Sequence, residues 1–392
     1  MRKSFTDLLK HSLQGKVVLV RVDFNTPIKD GQVTDNTRIK ASLGTIQALT
    51  NQGAKVVLIS HLNRPGGKVV EAQRLTPVKN DLQDLLGRPV MKLDEAIGPA
   101  VEKAIQALND SDVLLLENIR FYREEEANDL DFSKTLASYA DYFVQDAFGA
   151  VHRQHASTFG IAQCLPAFSG QLLDKELNYL TQVLRSPDRP LTAIIGGSKI
   201  SSKFSVLENL LQTVDVMVLG GAMVYTLLKA KNEEVGTSLV ELDLIDKATS
   251  FLDKVAALGK TLYLPEDHIA VTNFSDPNTS QTVDVLSPNQ MGVDIGPKSI
   301  SHIQMLIESS KTVFWNGPLG VFETPEYSKG TFSVAHSLAN ATQATTIVGG
   351  GDSIAAVNQA GVADQMNHIS TGGGASLEFL EGKSLPGISV LS

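Results

Sequence analysis

The chain has 392 residues, too many for a single compact core and enough for two domains. Its composition is ordinary for a globular protein, with 42% hydrophobic and 20% charged residues, 31 Gly and 15 Pro, which excludes a disordered, collagen-like or coiled-coil chain. A formal net charge of −9 argues against general affinity for nucleic acid or anionic membranes, and the single cysteine, Cys164, rules out an intrachain disulfide or a cysteine metal cluster.

Arg2 and Lys3 open the chain without an apolar signal core behind them, and no stretch reaches transmembrane length, so the expected location is the cytoplasm. A rhythm then repeats: a short β-branched run, a glycine-rich or polar turn, a helical pattern. The strand candidates in order are 17–22, 56–59, 113–116, 142–144, 193–195, 214–219, 261–264, 312–314, 345–348 and 368–370. Helix candidates between them include 38–51, 76–86, 203–211, 242–258 and 299–309. Strands alternating with helices indicate α/β architecture, with parallel sheets covered on both faces. A polar helical stretch, 174–185, runs into Ser186-Pro187-Asp188-Arg189-Pro190, which reads as an inter-domain connection. Cys164, in an apolar stretch, is expected to be buried and inert.

Open parallel sheets bind ligands at the carboxyl ends of their strands. In the first half those positions are basic and polar: Arg21, Asp23 and Asn25; His61 and Arg64; Arg120; then His152, Arg153 and His155. Arg38 follows Asp35-Asn36-Thr37 at an expected helix start. Guanidinium forks suit carboxylate and phosphate oxygens. Any one of these arginines taken alone reads more readily as a surface residue paired with an acid. Their recurrence after successive strands favours a pocket for a small, multiply anionic substrate.

In the second half the same positions are glycines: Gly196-Gly197-Ser198-Lys199, Gly220-Gly221, Trp315-Asn316-Gly317, Gly349-Gly350-Gly351-Asp352 and Gly372-Gly373-Gly374. Glycine lets backbone N–H groups approach phosphate closely, and a following helix adds its positive end. A tight turn explains any single pair; five such turns favour a nucleotide phosphate site. Lys199 could reach transferring oxygens. Asp352 is a hard-oxygen ligand suited to Mg²⁺, and an N-capping role could coexist with that. The dinucleotide fingerprint Gly-x-Gly-x-x-Gly does not occur, and protein-kinase signatures are missing.

These motifs together resemble the phosphoglycerate kinase family from near the start of the chain to its end. The matching segments are RVDFN at 21–25, DNTRI at 35–39, SHLNRP at 60–65, LLENIRF at 115–121, QDAFG at 145–149, HRQHAS at 152–157, GGSKISSK at 196–203, WNGPLGVFE at 315–323, GGGD at 349–352 and STGGGASLE at 370–378. The resemblance implies two doubly wound, Rossmann-like lobes that face each other across a cleft and bend about a hinge. The N-terminal lobe, 1–170 with 378–392 returning to it, would bind phosphoglycerate. A linker helix would occupy 171–190, and the C-terminal lobe, 191–377, would bind nucleotide. The reaction implied is reversible transfer of the 1-phosphate of 1,3-bisphosphoglycerate to ADP, giving 3-phosphoglycerate and ATP, with Mg²⁺ and as a monomer.

Carried over by position, Arg38, Lys199, Gly372 and Gly373 look like the catalytic group. Arg21, Asp23, Asn25, Arg38, His61, Arg64, Arg120 and Arg153 look like substrate ligands. Gly197, Ser198, Lys199, Lys203, Asn316, Glu323, Gly349, Gly350, Gly351, Asp352 and Ser353 look like nucleotide contacts, with Asp352 on the metal. The rival reading, a non-catalytic nucleotide or metabolite sensor, would be expected to lose Arg38, Lys199 or Asp352, and all three are present. Four positions depart from the family: Asn63 for Gly, Gln145 for Asn, Ser198 for Ala and Ser202 for Asp. Asn63 is expected to keep its turn because Asn tolerates positive φ.

Overall fold

Apolar runs as short as Val17–Arg21, with every residue after the first buried, can only be strands covered on both faces. The computed structural model describes residues 2–391 and divides into two units, Met1–Asn178 with Ser384–Ser392, and Tyr179–Lys383. The division falls inside the helix Gln171–Arg185.

The first unit holds β1 (Val17–Arg21), the hairpin β2 (Ile28–Lys29) and β3 (Gln32–Val33), β4 (Lys55–Ile59), β5 (Met91–Lys92), β6 (Val113–Leu115), β7 (Tyr142–Gln145) and β8 (Ala167–Ser169). Six of these form one parallel sheet in the order β5-β6-β4-β1-β7-β8. Arg21 pairs with Ile59 on one side and Gln145 on the other, so three strand ends lie level. Strand order reverses about β1, the crevice where this architecture places ligands. The core beneath joins Val18, Val20, Val56 and Leu58 to Ile39, Ile46 and Leu49 of the helix Thr37–Asn51. Each such side chain is fully buried, contributing about 1.5–3 kcal/mol. Asp35 Oδ1 accepts the amide of Thr37 at 2.9 Å, which starts that helix and sets Arg38 in its first turn.

The second unit holds β9 (Leu191–Ile195), β10 (Val216–Leu219), β11 (Thr261–Tyr263), β12 (His268–Val271), β13 (Gln281–Val283), β14 (Met291–Ile295), β15 (Thr312–Asn316), β16 (Thr345–Gly349) and β17 (His368–Ile369). Its parallel sheet runs β11-β10-β9-β15-β16-β17, again reversing about its first strand. Trp315 is fully buried in the core of this unit, and its indole N–H donates to Gly317 O at 2.8 Å.

All ten expected strands are present, within a few residues at their ends. The expected helix 242–258 begins as a 3-10 turn, Leu242–Leu244, before Ile245–Ala257. The antiparallel sheet β13-β12-β14 was not expected. β12 carries a register shift after Ile269 and β13 is mostly exposed, so neither shows a clean apolar alternation. The expectation of a buried Cys164 is corrected: its side chain is exposed. The short turn Ile161–Gln163 buries Ile161 and Ala162 and turns Gln163 and Cys164 outward.

Candidate functional site

At the carboxyl edge of the first sheet, loops after β1, β4 and β6 are stitched together by the residues the sequence singled out. Asp23 Oδ1 accepts the Asn25 amide at 3.1 Å, and Asn25 Oδ1 accepts the Asn63 amide at 2.8 Å. Arg38 donates through Nη1 to the Asn25 carbonyl and places Nε 4.0 Å from Asp23 Oδ2. Asn63 has φ 55°, so this asparagine does adopt the left-handed turn. Arg120 donates to the Asn63 carbonyl at 2.9 Å. Asn118 fixes the same loop, receiving the Leu62 amide and donating to the Leu62 carbonyl at 2.8 Å.

Arg21 is different in kind. It is 1% exposed, with Nε donating to Ser157 Oγ at 2.8 Å, Nη1 to the Val22 carbonyl and Nη2 to His61 Nδ1 at 3.1 Å. Arg64 and Arg153 are exposed, and their charges act on Arg120 and His155 respectively. Burial, then the Arg21, Arg120 and Arg38 charges and His155, holds His61 well below the ordinary imidazole range. Burial and the arginines likewise push His155 down to about 4. The substitution Gln145 is accommodated: its Nε2 donates to the Thr158 carbonyl at 3.1 Å, and its Oε1 accepts the Ala147 amide at 3.1 Å.

In the second unit the glycine turns after β9, β15 and β16 and the segment after β17 line a cavity of about 330 Å³, which includes Gly197, Ser198, Lys203, Asn316, Asp352 and Gly373. A Cβ at Gly196 would lie 2.0 Å from the Pro318 carbonyl oxygen, so only glycine lets these two turns approach. Lys203 Nζ donates to Asn316 Oδ1 at 2.7 Å, and the buried Asn316 Nδ2 has no hydrogen-bond partner among the described residues. Burial lowers the Lys203 pKa, opposed by Asp352 and Glu381. Lys199 is exposed beside the turn Ile200–Ser202, where Ser202 Oγ donates to the Lys199 carbonyl at 2.9 Å.

Asp352 and Glu323 line a second cavity of about 270 Å³, walled by Gly221, Tyr225, Leu319 and Val321. The helix Gly351–Gln359 is capped by Gly350 with no side-chain bond, so the capping role entertained for Asp352 is corrected; its exposed carboxylate is free of that duty. Ser353 is buried and accepts the Gly317 amide at 2.6 Å, and the Gly372 amide donates to Ser370 Oγ at 3.2 Å. Gly349 is the buried last residue of β16.

Comparison with known proteins settles the kinship. A family model described as phosphoglycerate kinase matches residues 7–383. The chain belongs to the phosphoglycerate kinase family. It is 50% identical over 396 aligned positions to the phosphoglycerate kinase of Synechococcus elongatus, covering 100% of this chain and 98% of the relative. Among solved structures, phosphoglycerate kinase from Coxiella burnetii superposes with a TM-score of 0.89 at 37% identity, covering 100% of this chain and 99% of the other. That from Pyrococcus horikoshii gives 0.85 at 30% identity, with 98% of each chain covered. The chain is thus a phosphotransferase with a carboxyl group as acceptor, moving the 1-phosphate of 1,3-bisphosphoglycerate to ADP and back. The doubly wound α/β fold expected of a phosphoglycerate kinase is present in both units.

Sequence reasoning missed Tyr225, His268 and Asp294, which line the smaller cavity from elements without a motif. It also missed Glu125 and Ser157. Ser157 lay inside the quoted HRQHAS segment, whereas Glu125 sits in an acidic run that looks like a solvated face.

Proposed function

We infer that the two halves of phosphoglycerate kinase chemistry are divided between the units. The lobe 1–170 with 378–392, within the first unit but for 378–383, takes the phosphoglycerate, and the lobe 191–377 of the second unit takes ATP or ADP, with 171–190 as the linker. The observation carrying this reading is the surplus of cations at the edge of the first sheet. Arg21, Arg38 and Arg120 lie close enough to depress His61 even though Asp23 stands 4.0 Å from Arg38. Such an excess of positive charge suits a ligand bearing a phosphate and a carboxylate or acylphosphate.

Arg38 is assigned to the transferring phosphoryl, with Asp23, Asn25, His61, Arg64, Arg120 and Arg153 holding the rest of the substrate. On the nucleotide side, Lys199 escorts the phosphoryl group. Lys203, Asn316 and the amides around Gly350, Gly351 and Gly373 hold the phosphates, and Glu323 with Gly197 and Ser198 serve the nucleoside end. Arg21, Ser353 and Gly372 act through neighbours, because their polar groups are engaged within the protein. The reaction needs positioning and neutralisation more than a base, since the carboxylate acceptor is already ionised near neutral pH.

The residues fit Mg²⁺. Asp352 offers one hard carboxylate oxygen donor bordering both cavities, and an ion with phosphate ligands needs little more. When bound, Mg²⁺ supplies charge neutralisation at the nucleotide phosphates. Among the described residues no helix is long and apolar enough to cross a membrane, and the net charge of −9 disfavours nucleic acid. A cytoplasmic monomer is the accompanying proposal, tested by sedimentation and cell fractionation.

The deciding experiment is ATP consumption with 3-phosphoglycerate and Mg²⁺, coupled to reduction of the acylphosphate, with Arg38→Ala beside it. Turnover that requires Mg²⁺ and is lost in the folded variant supports the assignments. Undiminished turnover in Arg38→Ala removes Arg38 from the transfer step.

A further inference from the structure

Glu125 is fully buried in the short helix Arg123–Glu126, yet among the described residues it forms no ion pair with an arginine within 4 Å. Its carboxylate instead grips Ser157 twice: Oε2 accepts the Ser157 amide at 2.8 Å and Oε1 accepts the Ser157 hydroxyl at 2.6 Å. The hydroxyl proton being committed to Glu125, Ser157 Oγ can only accept from Arg21 Nε, 2.8 Å away. Arg21 donates in turn through Nη2 to His61 Nδ1 at 3.1 Å. A guanidinium has no acceptor, so His61 Nδ1 must offer its lone pair and the ring proton must sit on Nε2. Every donor and acceptor in the chain Glu125–Ser157–Arg21–His61 therefore has one permitted direction.

We propose that Glu125 and Ser157 are positioning residues for His61: by orienting Arg21 they lock the imidazole as the Nε2–H tautomer, so that His61 meets the anionic substrate as a fixed hydrogen-bond donor. This rests on the reading of His61 as a substrate ligand. The surroundings act in the same sense. Arg21, Arg38, Arg120 and His155 all face His61, and their positive charge together with burial opposes a second proton on the ring. Glu125 is faced by Arg21, Arg120, Ser157 and, at 3.8 Å, His155 Nδ1. Burial raises its pKa while Arg21 and the two Ser157 bonds oppose the rise. A neutral, pre-oriented donor binds phosphate or carboxylate without titrating across the working range, which a solvated histidine would do.

The test is ring-nitrogen NMR of the full chain labelled with ¹⁵N-histidine, without substrate, followed by kinetics. The expected spectrum has the His61 proton on Nε2 and no protonation step between about pH 5 and 8. Ser157→Ala and Glu125→Gln are expected to give mixed tautomers. They should raise KM for 3-phosphoglycerate about tenfold, the size of one hydrogen bond to a charged group, with KM for ATP unchanged. A proton on Nδ1, or titration near the ordinary imidazole value in the unsubstituted protein, overturns the proposal whether or not the variants fold. An unchanged tautomer in both folded variants overturns it as well. If the Nε2–H tautomer is found but His61→Ala leaves KM for 3-phosphoglycerate unchanged, the chain of bonds stands, and the reading of His61 as a substrate ligand fails with the functional purpose proposed for it.

Discussion

Lys203 Nζ donates to Asn316 Oδ1 at 2.7 Å, joining the residue before the helix Phe204–Leu210 to the last residue of β15. This bond fixes the amide: Oδ1 faces the ammonium, so the buried and unpartnered Nδ2 lies beside the Gly350 turn. A donor left unmatched in a buried position costs about 1–3 kcal/mol unless a ligand completes it. Asn316→Ala is therefore expected to raise KM for ATP by about tenfold to a hundredfold. KM for 3-phosphoglycerate should stay within about twofold, since Asn316 belongs to the unit assigned to nucleotide; equal losses for both substrates would count against that assignment.

Gly350 has φ 90°, and a Cβ there would stand 2.9 Å from Asn316 Nδ2. Gly350→Ala suffers backbone strain of about 1–3 kcal/mol and pushes on the amide assigned to the nucleotide. Thermal unfolding should shift downward, and isothermal titration should show weakened ADP binding. A variant with unchanged stability and affinity contradicts both effects.

Lys199 is exposed at the surface, so removing its ammonium should leave the fold intact. Its expected contribution is to the transferring phosphoryl. Lys199→Ala should lower kcat by about 10²–10³-fold while changing KM for either substrate far less. Steady-state kinetics decide this, and near-normal kcat removes the role.

Asp146 is fully buried at the start of the helix Gln171–Arg185, where its Oδ1 accepts the amides of Leu172 and Leu173 at 2.9 and 3.2 Å. Burial raises its pKa from 3.8 to about 7. A raised carboxyl pKa contributes stability that is complete below the unfolded value and is lost as pH rises through the folded one. Asp146 thus favours stability near pH 4 and withdraws that contribution toward pH 7. Asp146→Asn keeps an oxygen for the two amides and should flatten this part of the urea-unfolding profile between about pH 4 and 7. A profile identical to that of the unsubstituted chain would show that Asp146 does not titrate there.

The alternating pattern disclosed the parallel sheets because burial on both faces demands continuous apolar runs such as Val17–Arg21 and Thr312–Asn316. The glycines at 196, 350 and 373 were legible as tight turns because a backbone requirement leaves its mark on residue type, and Asn63 shows the same logic in its left-handed turn. The sheet of β12, β13 and β14 was not legible, since its strands are short, partly exposed and interrupted by a register shift.

The sequence by itself determined which residue types stand at the strand ends, basic in one half and glycine in the other, and with them the family. Only the tertiary structure decided which of those groups are available to a ligand. Arg21 and Arg38 look alike in sequence, yet Arg21 is enclosed by Ser157 and His61 whereas Arg38 stays partly exposed. Glu125, one of three successive glutamates, becomes the buried anchor of Ser157. Hydrogen-bond direction and burial depend on partners far away in the chain, 136 residues for Arg21 and Ser157, and no local pattern of residue types records them.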